Sequence, residues 1–307
     1  MGTAAFDVSK KELVSSFEGV EKTIENESKA IRRALRTLPA GTRIGVESTG
    51  RFHLKLVEEA MKLGLEIYVV NPKEFSFYRR SLNYRVKSDA SDAELLARFV
   101  ENEHSRLYRY VPPAPRYALA HAMLSYRASL VRSRVAASES FGALPAAIKE
   151  QLETDALASL DAAILELQEK IHALMSQDAA YAKLQNVPGI GKLTAAALVC
   201  AFGRGVFASS DSFVAYAGLD LRVRESGRWK GRRSLTKRGD RTLRCLLYTA
   251  ASAGIRCCAW KPFYERALAR GWKKIQSILI VARKIVRLAW SMMRNQSEFQ
   301  IQRLVRG

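Results

Sequence analysis

The first 110 residues alternate short apolar runs with amphipathic stretches. Runs rich in β-branched and aromatic residues predict strands at 3–9, 12–18, 20–24, 43–48 and 66–70. Helix-period patterns occupy 28–38, 52–63 and a segment from Pro72 to about Leu82, and turn residues separate the elements. Three adjacent strands followed by alternating helices and strands predict a mixed sheet with helices packed on it.

A further helix start lies in the stretch S-D-A-S-D-A-E, residues 88–94. Ser91 and Glu94 match the S-x-x-E capping box, and apolar residues follow at helical spacing. The pattern predicts Ser91 as the N-cap, Asp92 as the first helical residue and Asp89 just before the helix. The simplest interpretation is that Asp92 complements the helix dipole and Asp89 is a loop residue.

Residues 116–183 show only helical patterns. A heptad seam is formed by Leu157, Leu160, Ile164, Leu167, Ile171 and Leu174. A second stripe is formed by Leu124, Ala128, Val131 and Val135, and Gly142 and Pro145 mark a turn between the two. Two interpretations stay equally open: a helical hairpin within one chain, and a coiled coil between two chains.

A glycine-rich turn opens the last part of the chain. In V-P-G-I-G-K, Gly189 and Gly191 precede a helix, and Lys192 begins it. Glycines at a helix N-terminus let backbone N–H groups approach a phosphate closely. The pattern resembles a helix-hairpin-helix that grips a DNA backbone; the alternative is a turn without a ligand.

The segment 222–244 is strongly basic, with ten Lys and Arg against Glu225 and Asp240. We interpret its centre as a turn-rich loop that binds phosphates and stacks bases. The candidate nucleic-acid-binding residues are Arg222, Arg224, Arg228, Lys230, Arg232, Arg233, Lys237 and Arg238. Two amphipathic helices are predicted to follow at about 240–256 and 272–294. We expect Trp260, Trp272 and Trp290 to lie in the core.

The charge is concentrated in this last part. Residues 184–307 carry 24 Lys and Arg against 6 Asp and Glu, a net +18, whereas residues 1–183 carry a net +2. Such asymmetry indicates a polyanionic partner, most simply nucleic acid.

The four cysteines have neither zinc-ligand nor disulfide-framework spacing. No apolar run reaches about 18 residues and no signal peptide is recognised, so we expect a cytoplasmic protein without a membrane partner.

Four acidic residues are the candidate metal ligands. Asp7 lies on the first predicted strand and Glu47 at the end of the fourth, and the predicted sheet could bring them together with Asp89 and Asp92. Clustered carboxylates need a cation, and hard oxygen ligands suit Mg²⁺ or Mn²⁺. Two such ions support phosphoryl transfer.

Taken together, these motifs resemble the DEDD transposases of the insertion sequence 110 and 1111 groups and the related Piv invertases. The N-terminal matches are F-D-V-S-K (6–10), V-E-S-T-G (46–50), V-V-N-P (69–72) and K-S-D-A-S-D-A (87–93). The C-terminal matches are V-P-G-I-G (187–191), Y-A-G-L (216–219), E-S-G (225–227), T-K-R-G-D-R-T-L-R (236–244) and A-R-K-I (282–285). The chain departs from the family pattern at Leu221, where proline is common, and at Ser88, where threonine is common.

The resemblance implies an α/β RNase H-like (RuvC-like) domain at 1–115, a helical coiled-coil middle at 116–183, and a mainly α transposase domain with a helix-hairpin-helix at 184–307. It implies that Asp7, Glu47, Asp89 and Asp92 bind Mg²⁺ or Mn²⁺ and that Ser226 is a nucleophile. It also implies donor and target DNA, a structured guide RNA, a homodimer or homotetramer, and location at the bacterial nucleoid.

Three functions therefore compete. The first is a DNA recombinase that uses metal and serine, either a transposase or a Piv-type invertase. The second is a RuvC-like junction resolvase that hydrolyses DNA with water. The third is a nucleic-acid-binding protein without catalysis. The four acids argue against the third function, and Ser226 within a basic loop separates the first from the second.

Overall fold

The computed structural model describes residues 2–48, 50, 52–82, 89–142, 145–222, 225–226, 229–230, 234–237, 239–257 and 259–301. The chain forms two compact units, Met1–Val111 and Pro112–Gly307. The division into three parts at 115/116 and 183/184 stays a prediction.

The first unit contains five strands and four helices among its described residues. They are β1 (Thr3–Val8), β2 (Glu12–Phe17), β3 (Val20–Glu25), α1 (Ser28–Leu35), β4 (Arg43–Glu47), α2 (Leu54–Lys62), β5 (Glu66–Val70), α3 (Pro72–Ser81) and α4 (Asp89–Glu103). The strands form one sheet in the order β3-β2-β1-β4-β5. β1, β4 and β5 are parallel, whereas β2 and β3 are antiparallel to their neighbours. The predicted mixed sheet is confirmed, and its topology is consistent with an RNase H-like domain.

Helices cover both faces of this sheet. Phe6 and Val46 belong to a buried cluster with residues of α1 and α2, including Ile31. On the other face, Ala5 belongs to a cluster with residues of α3 and α4. A Cβ added to Gly45 would lie 2.8 Å from Cγ2 of Val100, so glycine at this position allows α4 to lie close to the sheet.

The predicted start of α4 is wrong. The helix begins at Asp89 rather than after Ser91, so Asp89 and Asp92 both lie in its first turn. The reason is that acidic residues are favourable throughout the first turn of a helix, where they complement its dipole, so the S-D-A-S-D-A pattern permits an earlier start. Residues three apart on a helix are neighbours, and the correction therefore places the two acids on one side of α4.

The second unit is mainly helical. Its helices are α5 (Pro115–Phe141), α6 (Ala146–Met175), α7 (Ala179–Gln185), α8 (Lys192–Phe202), α9 (Ser210–Tyr216), α10 (Arg241–Gly254), α11 (Lys261–Ala269) and α12 (Lys274–Asn295). Its strands are β6 (Leu221–Arg222), β7 (Glu225–Ser226), β8 (Trp229–Lys230) and β9 (Ser234–Leu235). α8 is buried from Thr194 to Ala201 and lies at the centre of the core. In the part of the chain described here, every helix is too short or too polar to cross a lipid bilayer.

α5 and α6 pack along each other as an antiparallel pair. Nη2 of Arg134 lies 3.0 Å from Oδ2 of Asp161, and Nη2 of Arg127 donates to Oε1 of Gln168 at 2.6 Å. Arg127 lies seven residues before Arg134 on α5, whereas its partner Gln168 lies seven residues after Asp161 on α6, so the two helices run in opposite directions. Ile171, in the heptad seam, is buried. The hairpin within one chain is the interpretation that this packing supports, and pairing between chains stays a prediction.

The three tryptophans differ in burial. Trp260 is fully buried, and its indole N–H donates to the carbonyl of Pro188 at 2.8 Å. Trp290 is half-buried against the core. The expectation for Trp272 is wrong, because its side chain is 38% exposed. It lies in the turn between α11 and α12, after the left-handed Gly271, and not on the apolar face of a helix.

Candidate catalytic site and nucleic-acid interface

Asp7 and Glu47 lie on adjacent parallel strands. Phe6 of β1 is opposite Val46 of β4, so each acid occupies the next position on its strand. Adjacent strands are about 4.8 Å apart and side chains alternate between faces, so the two acids share the face on which α4 lies. Both are half-buried. The sheet therefore brings two of the four predicted ligands to its carboxyl edge.

Asp92 extends from the stripe of α4 that packs on the same face. Leu96 and Val100 follow it at intervals of four, and both are buried. The side chain of Asp92 is only 13% exposed. Asp89 precedes it by three residues, and the side chain of Asp89 lies outside those that the structure describes.

The carboxylate of Asp92 is only partly satisfied. Its Oδ2 lies 2.8 Å from Nη2 of Arg79, whose guanidinium carbon is 5.1 Å from the ring centre of Phe75. Its Oδ1 is buried without a hydrogen-bond partner among the described residues. A buried carboxylate oxygen without a donor is costly, and a divalent cation would satisfy it. This carboxylate therefore fits a hard metal ion.

Arg79 is a residue that the sequence did not point to. It lies on α3, and its contact with Asp92 depends on how α3 packs against α4. Among the side chains that the structure describes, no group of three or more His, Cys, Asp or Glu is arranged to hold a metal ion. The complete four-acid site stays a prediction.

The two glycines before α8 have different surroundings. Gly189 has a φ of +91°, and an added Cβ would clash with the carbonyl oxygen of Ala250 and lie 2.9 Å from Cα of Gly254. Glycine at this position thus allows the turn to pack closely against the backbone of α10. Gly191 is the N-cap of α8, and an added Cβ there would meet no atom of the described residues within 4 Å. Among the described residues, no side chain caps the α8 N-terminus. Exposed Lys192 adjoins it, an arrangement suited to phosphate.

The described residues of the basic segment form two short antiparallel ladders, and we call residues 221–235 the arm. Leu221 is opposite Leu235 in the first ladder, and Ser226 is opposite Trp229 in the second. The segment predicted as a turn-rich loop therefore contains a ladder among its described residues. Only backbone is described for Arg222, Glu225, Ser226, Trp229 and Lys230. The predictions for Arg224, Arg228, Arg232, Arg233 and Arg238 lie outside the described residues.

The base of the arm is fixed by tight packing. The N–H of Thr236 donates to the carbonyl of Asp220 at 3.0 Å, and its hydroxyl donates to the Asp220 carboxylate. A Cβ added to Gly239 would clash with the carbonyl of Tyr216. Arg244 donates to the carbonyl of Gly239 at 3.2 Å. Part of the T-K-R-G-D-R motif therefore holds the arm in place.

Asp240 has a structural role that sequence did not predict. Its Oδ1 accepts from the N–H of Thr242 at 2.7 Å and caps α10, while its Oδ2 lies 3.0 Å from Nε2 of His121. Burial acts to raise the pKa of Asp240, yet the His121 bond and the helix N–H groups lower it overall. His121 is 119 residues away, so no local pattern predicts this pair.

Comparisons with known proteins match both parts of the chain. A "Transposase" model, of the DEDD type of IS110, matches residues 4–144, and the "Transposase IS116/IS110/IS902 family" model matches residues 181–265. The chain is 29% identical to the pilin gene-inverting protein of Moraxella bovis over 83% of this chain and 80% of that protein. It is 27% identical to a probable family 20 transposase of Pseudomonas aeruginosa over 87% of this chain and 88% of that protein. The chain therefore belongs to the IS116/IS110/IS902 family of transposases, enzymes that recombine DNA.

Proposed function

We propose that this recombinase joins DNA by metal-dependent phosphoryl transfer at Asp7, Glu47, Asp89 and Asp92. The observation that carries the proposal is the partly satisfied carboxylate of Asp92 on α4, the helix that packs on the sheet face shared by Asp7 and Glu47. Bound Mg²⁺ or Mn²⁺ would stabilise charge on the attacking and leaving oxygens. Two adjacent strands and one helix are rigid supports for such ligands.

Arg79 prepares the site. Its guanidinium neutralises Asp92 and is held over Phe75, so one carboxylate oxygen is kept in place while the other accepts no hydrogen bond from any described residue. Fixed positions lower the reorganisation that ligand binding requires. We assign Arg79 a positioning role, since nothing places it against DNA.

Arg79→Met is expected to make the stability of the protein depend on Mg²⁺. In EDTA the variant leaves the buried Asp92 charge without its cationic partner, which costs about 3 kcal/mol. Saturating Mg²⁺ should recover much of this loss, because a ligand that binds the folded state stabilises it. Thermal unfolding in EDTA and in Mg²⁺ measures the difference.

Arg80→Met is the matched control, since Arg80 is the exposed neighbour of Arg79 on α3. It should unfold as the wild type does in both buffers. An Arg79→Met protein that is equally destabilised with and without Mg²⁺ would count against metal binding at Asp92.

We further propose that the Ser226 hydroxyl attacks a DNA phosphate. The new Ser226 Oγ–phosphorus bond replaces one phosphorus–oxygen bond of the strand, and the released sugar oxygen takes up a proton. The phosphoserine conserves the bond for rejoining, so exchange needs no ATP. Supporting this are the position of Ser226 on the basic arm and its match to the family's E-S-G motif. Arginines of the arm would stabilise the transition state.

We propose donor and target DNA as substrates of the basic part and a structured RNA as guide. The first N–H groups of α8, next to Gly191 and Lys192, have no acceptor within a helix and so offer a phosphate contact that does not depend on sequence. The arm supplies further cations: Arg222, Arg224, Arg228, Lys230, Arg232 and Arg233. Lys237 and Arg238 follow it. Bringing two DNA segments together favours a dimer or tetramer.

Two alternatives remain within recombination. A Piv-type inversion is favoured by the 29% identity to a protein named as pilin gene-inverting. A RuvC-like resolvase would use the same acids with water as nucleophile and would not need Ser226. A covalent protein–DNA link separates the resolvase from the other two functions.

A further inference from the structure

Two adjoining cavities lie beside the arm, and Trp272 lines both. The first, of about 480 Å³, lies between the base of the arm and α12, with Leu221, Leu235 and Leu279 among its apolar walls. The second, of about 270 Å³, is bordered by Phe263 of α11. We call the two cavities together the Trp272 cleft. Their combined size lies within the range of small-ligand sites in proteins.

The polar lining of the Trp272 cleft is cationic. Its charged residues are Lys237, Arg266, Arg270, Arg283 and Lys284, and no acid is among the described residues that line it. The nearby Asp220 accepts a hydrogen bond from Thr236. Five cations around two apolar cavities indicate an occupant that combines negative charge with a flat, weakly polar body.

Arg283 is the most constrained of these cations. Its Nε is buried and has no hydrogen-bond partner among the described residues. Burial lowers the pKa of Arg283, with nearby Arg287 adding to the effect, and burial likewise lowers that of Lys284. Charges held out of water in this way interact strongly with an anion that reaches them.

Trp272 supplies an aromatic surface. Its backbone N–H donates to the carbonyl of Ala267 at 3.2 Å, which fixes the turn between α11 and α12. Its side chain is 38% exposed, unlike that of the buried Trp260. An exposed indole beside arginines is the combination that binds unpaired bases in single-strand-binding proteins, because every base has a face that can stack.

We infer that the Trp272 cleft binds an unpaired nucleotide, with the base stacked on Trp272 and the phosphates bound by Lys237, Arg270 and Arg283. A paired base has both faces covered by its neighbours, so the cleft would select unpaired over duplex nucleic acid. The inference rests on the proposed nucleic-acid binding by the basic part of the chain, but uses residues separate from the acids and Ser226. Unpaired DNA and RNA share the chemistry that the cleft recognises.

The test compares binding of an unstructured eight-nucleotide DNA, its RNA counterpart and a blunt DNA duplex by fluorescence anisotropy. Trp272→Ala in the full-length protein should weaken binding of the unpaired strands about ten-fold, the scale of one base–aromatic stack. Its duplex affinity should change by less than about two-fold, since the phosphate contacts remain. Trp272→Phe should restore most of the single-strand affinity, because phenylalanine also stacks.

Tyr126→Ala is the matched control, since Tyr126 is an aromatic side chain on α5 that is 61% exposed and lies outside the cleft. It should bind all three probes as the wild type does. Arg270→Gln provides a second route if Trp272→Ala unfolds, and it should weaken single-strand binding in a folded protein. A preference for the DNA or the RNA strand identifies which of them enters the cleft, and either preference supports the site.

Single-strand affinity that is unchanged in both Trp272→Ala and Arg270→Gln would overturn the inference and leave the proposed DNA recombination intact. An equal loss of duplex and single-strand binding in Trp272→Ala would also overturn it, because no selection for unpaired bases would remain. A wild-type protein that bound none of the probes would instead contradict the proposed nucleic-acid binding itself, and the inference with it.

Discussion

Ser226→Ala is expected to bind DNA with wild-type affinity, yet form no covalent protein–DNA adduct and yield no recombinant product. The substitution removes one hydroxyl and leaves every cation of the arm in place. Loss of an attacking group lowers the rate of its step by about three orders of magnitude or more. Labelled DNA, denaturing electrophoresis and mapping of the linked peptide measure the adduct directly.

Ser234→Ala is the control, because Ser234 lies on the same arm, exposed and paired with Arg222 in the first ladder. It should form adduct and product as the wild type does. Asp92→Asn keeps the shape of the side chain and removes its charge, so it should lose the adduct as well if the acids assist the serine. Recombination by Ser226→Ala that still needs Mg²⁺ would favour the resolvase, with water as the attacking group.

Gly189→Ala and Gly191→Ala are expected to differ in their effects on the stability of the folded protein. Alanine at 189 would adopt a left-handed φ of +91° and press its Cβ against the backbone of α10. We expect a loss of about 3 kcal/mol in the free energy of unfolding. Alanine at 191 meets open space at a φ of −87°, so stability should change by less than about 1 kcal/mol.

The two variants differ again in DNA binding. If a phosphate approaches the N-terminus of α8, the added methyl of Gly191→Ala obstructs it, and affinity falls in a protein of normal stability. Chemical unfolding and duplex binding at one fixed salt concentration measure both quantities. A stable Gly191→Ala protein with unchanged affinity would leave the V-P-G-I-G turn with a packing role alone.

Local pattern predicted the first unit well. Alternating β-branched residues and turn residues fix strands such as β4 and β5 within a few positions, and three adjacent strands before a helix leave few sheet orders open. The placement of Asp7 and Glu47 at strand ends followed from the same patterns. These features depend on residues that are neighbours in the sequence, so they can be predicted from the sequence alone.

Features that depend on packing were not predicted. The Arg79–Asp92 contact and the His121–Asp240 contact each join different elements, and no helix or strand periodicity in the sequence predicts them. The described residues of the arm form ladders through their backbone hydrogen bonds, although the composition of the arm is typical of a loop. Trp272 was assigned to the core since tryptophan is usually buried, whereas a short connection between two helices keeps it partly exposed.

The antiparallel pairing of α5 and α6 has a consequence for how the chain folds. The bonds that join these helices span 27 and 41 residues, whereas the Trp260–Pro188 bond in the core spans 72. Contacts close in sequence generally form sooner, so we expect α5 and α6 to pair before α8 is enclosed. Pulsed hydrogen exchange during refolding would show their amides protected first, and simultaneous protection would contradict this order. Early pairing would cover the heptad seam while the rest of the chain is still emerging from the ribosome, and so keep it from pairing with another nascent chain.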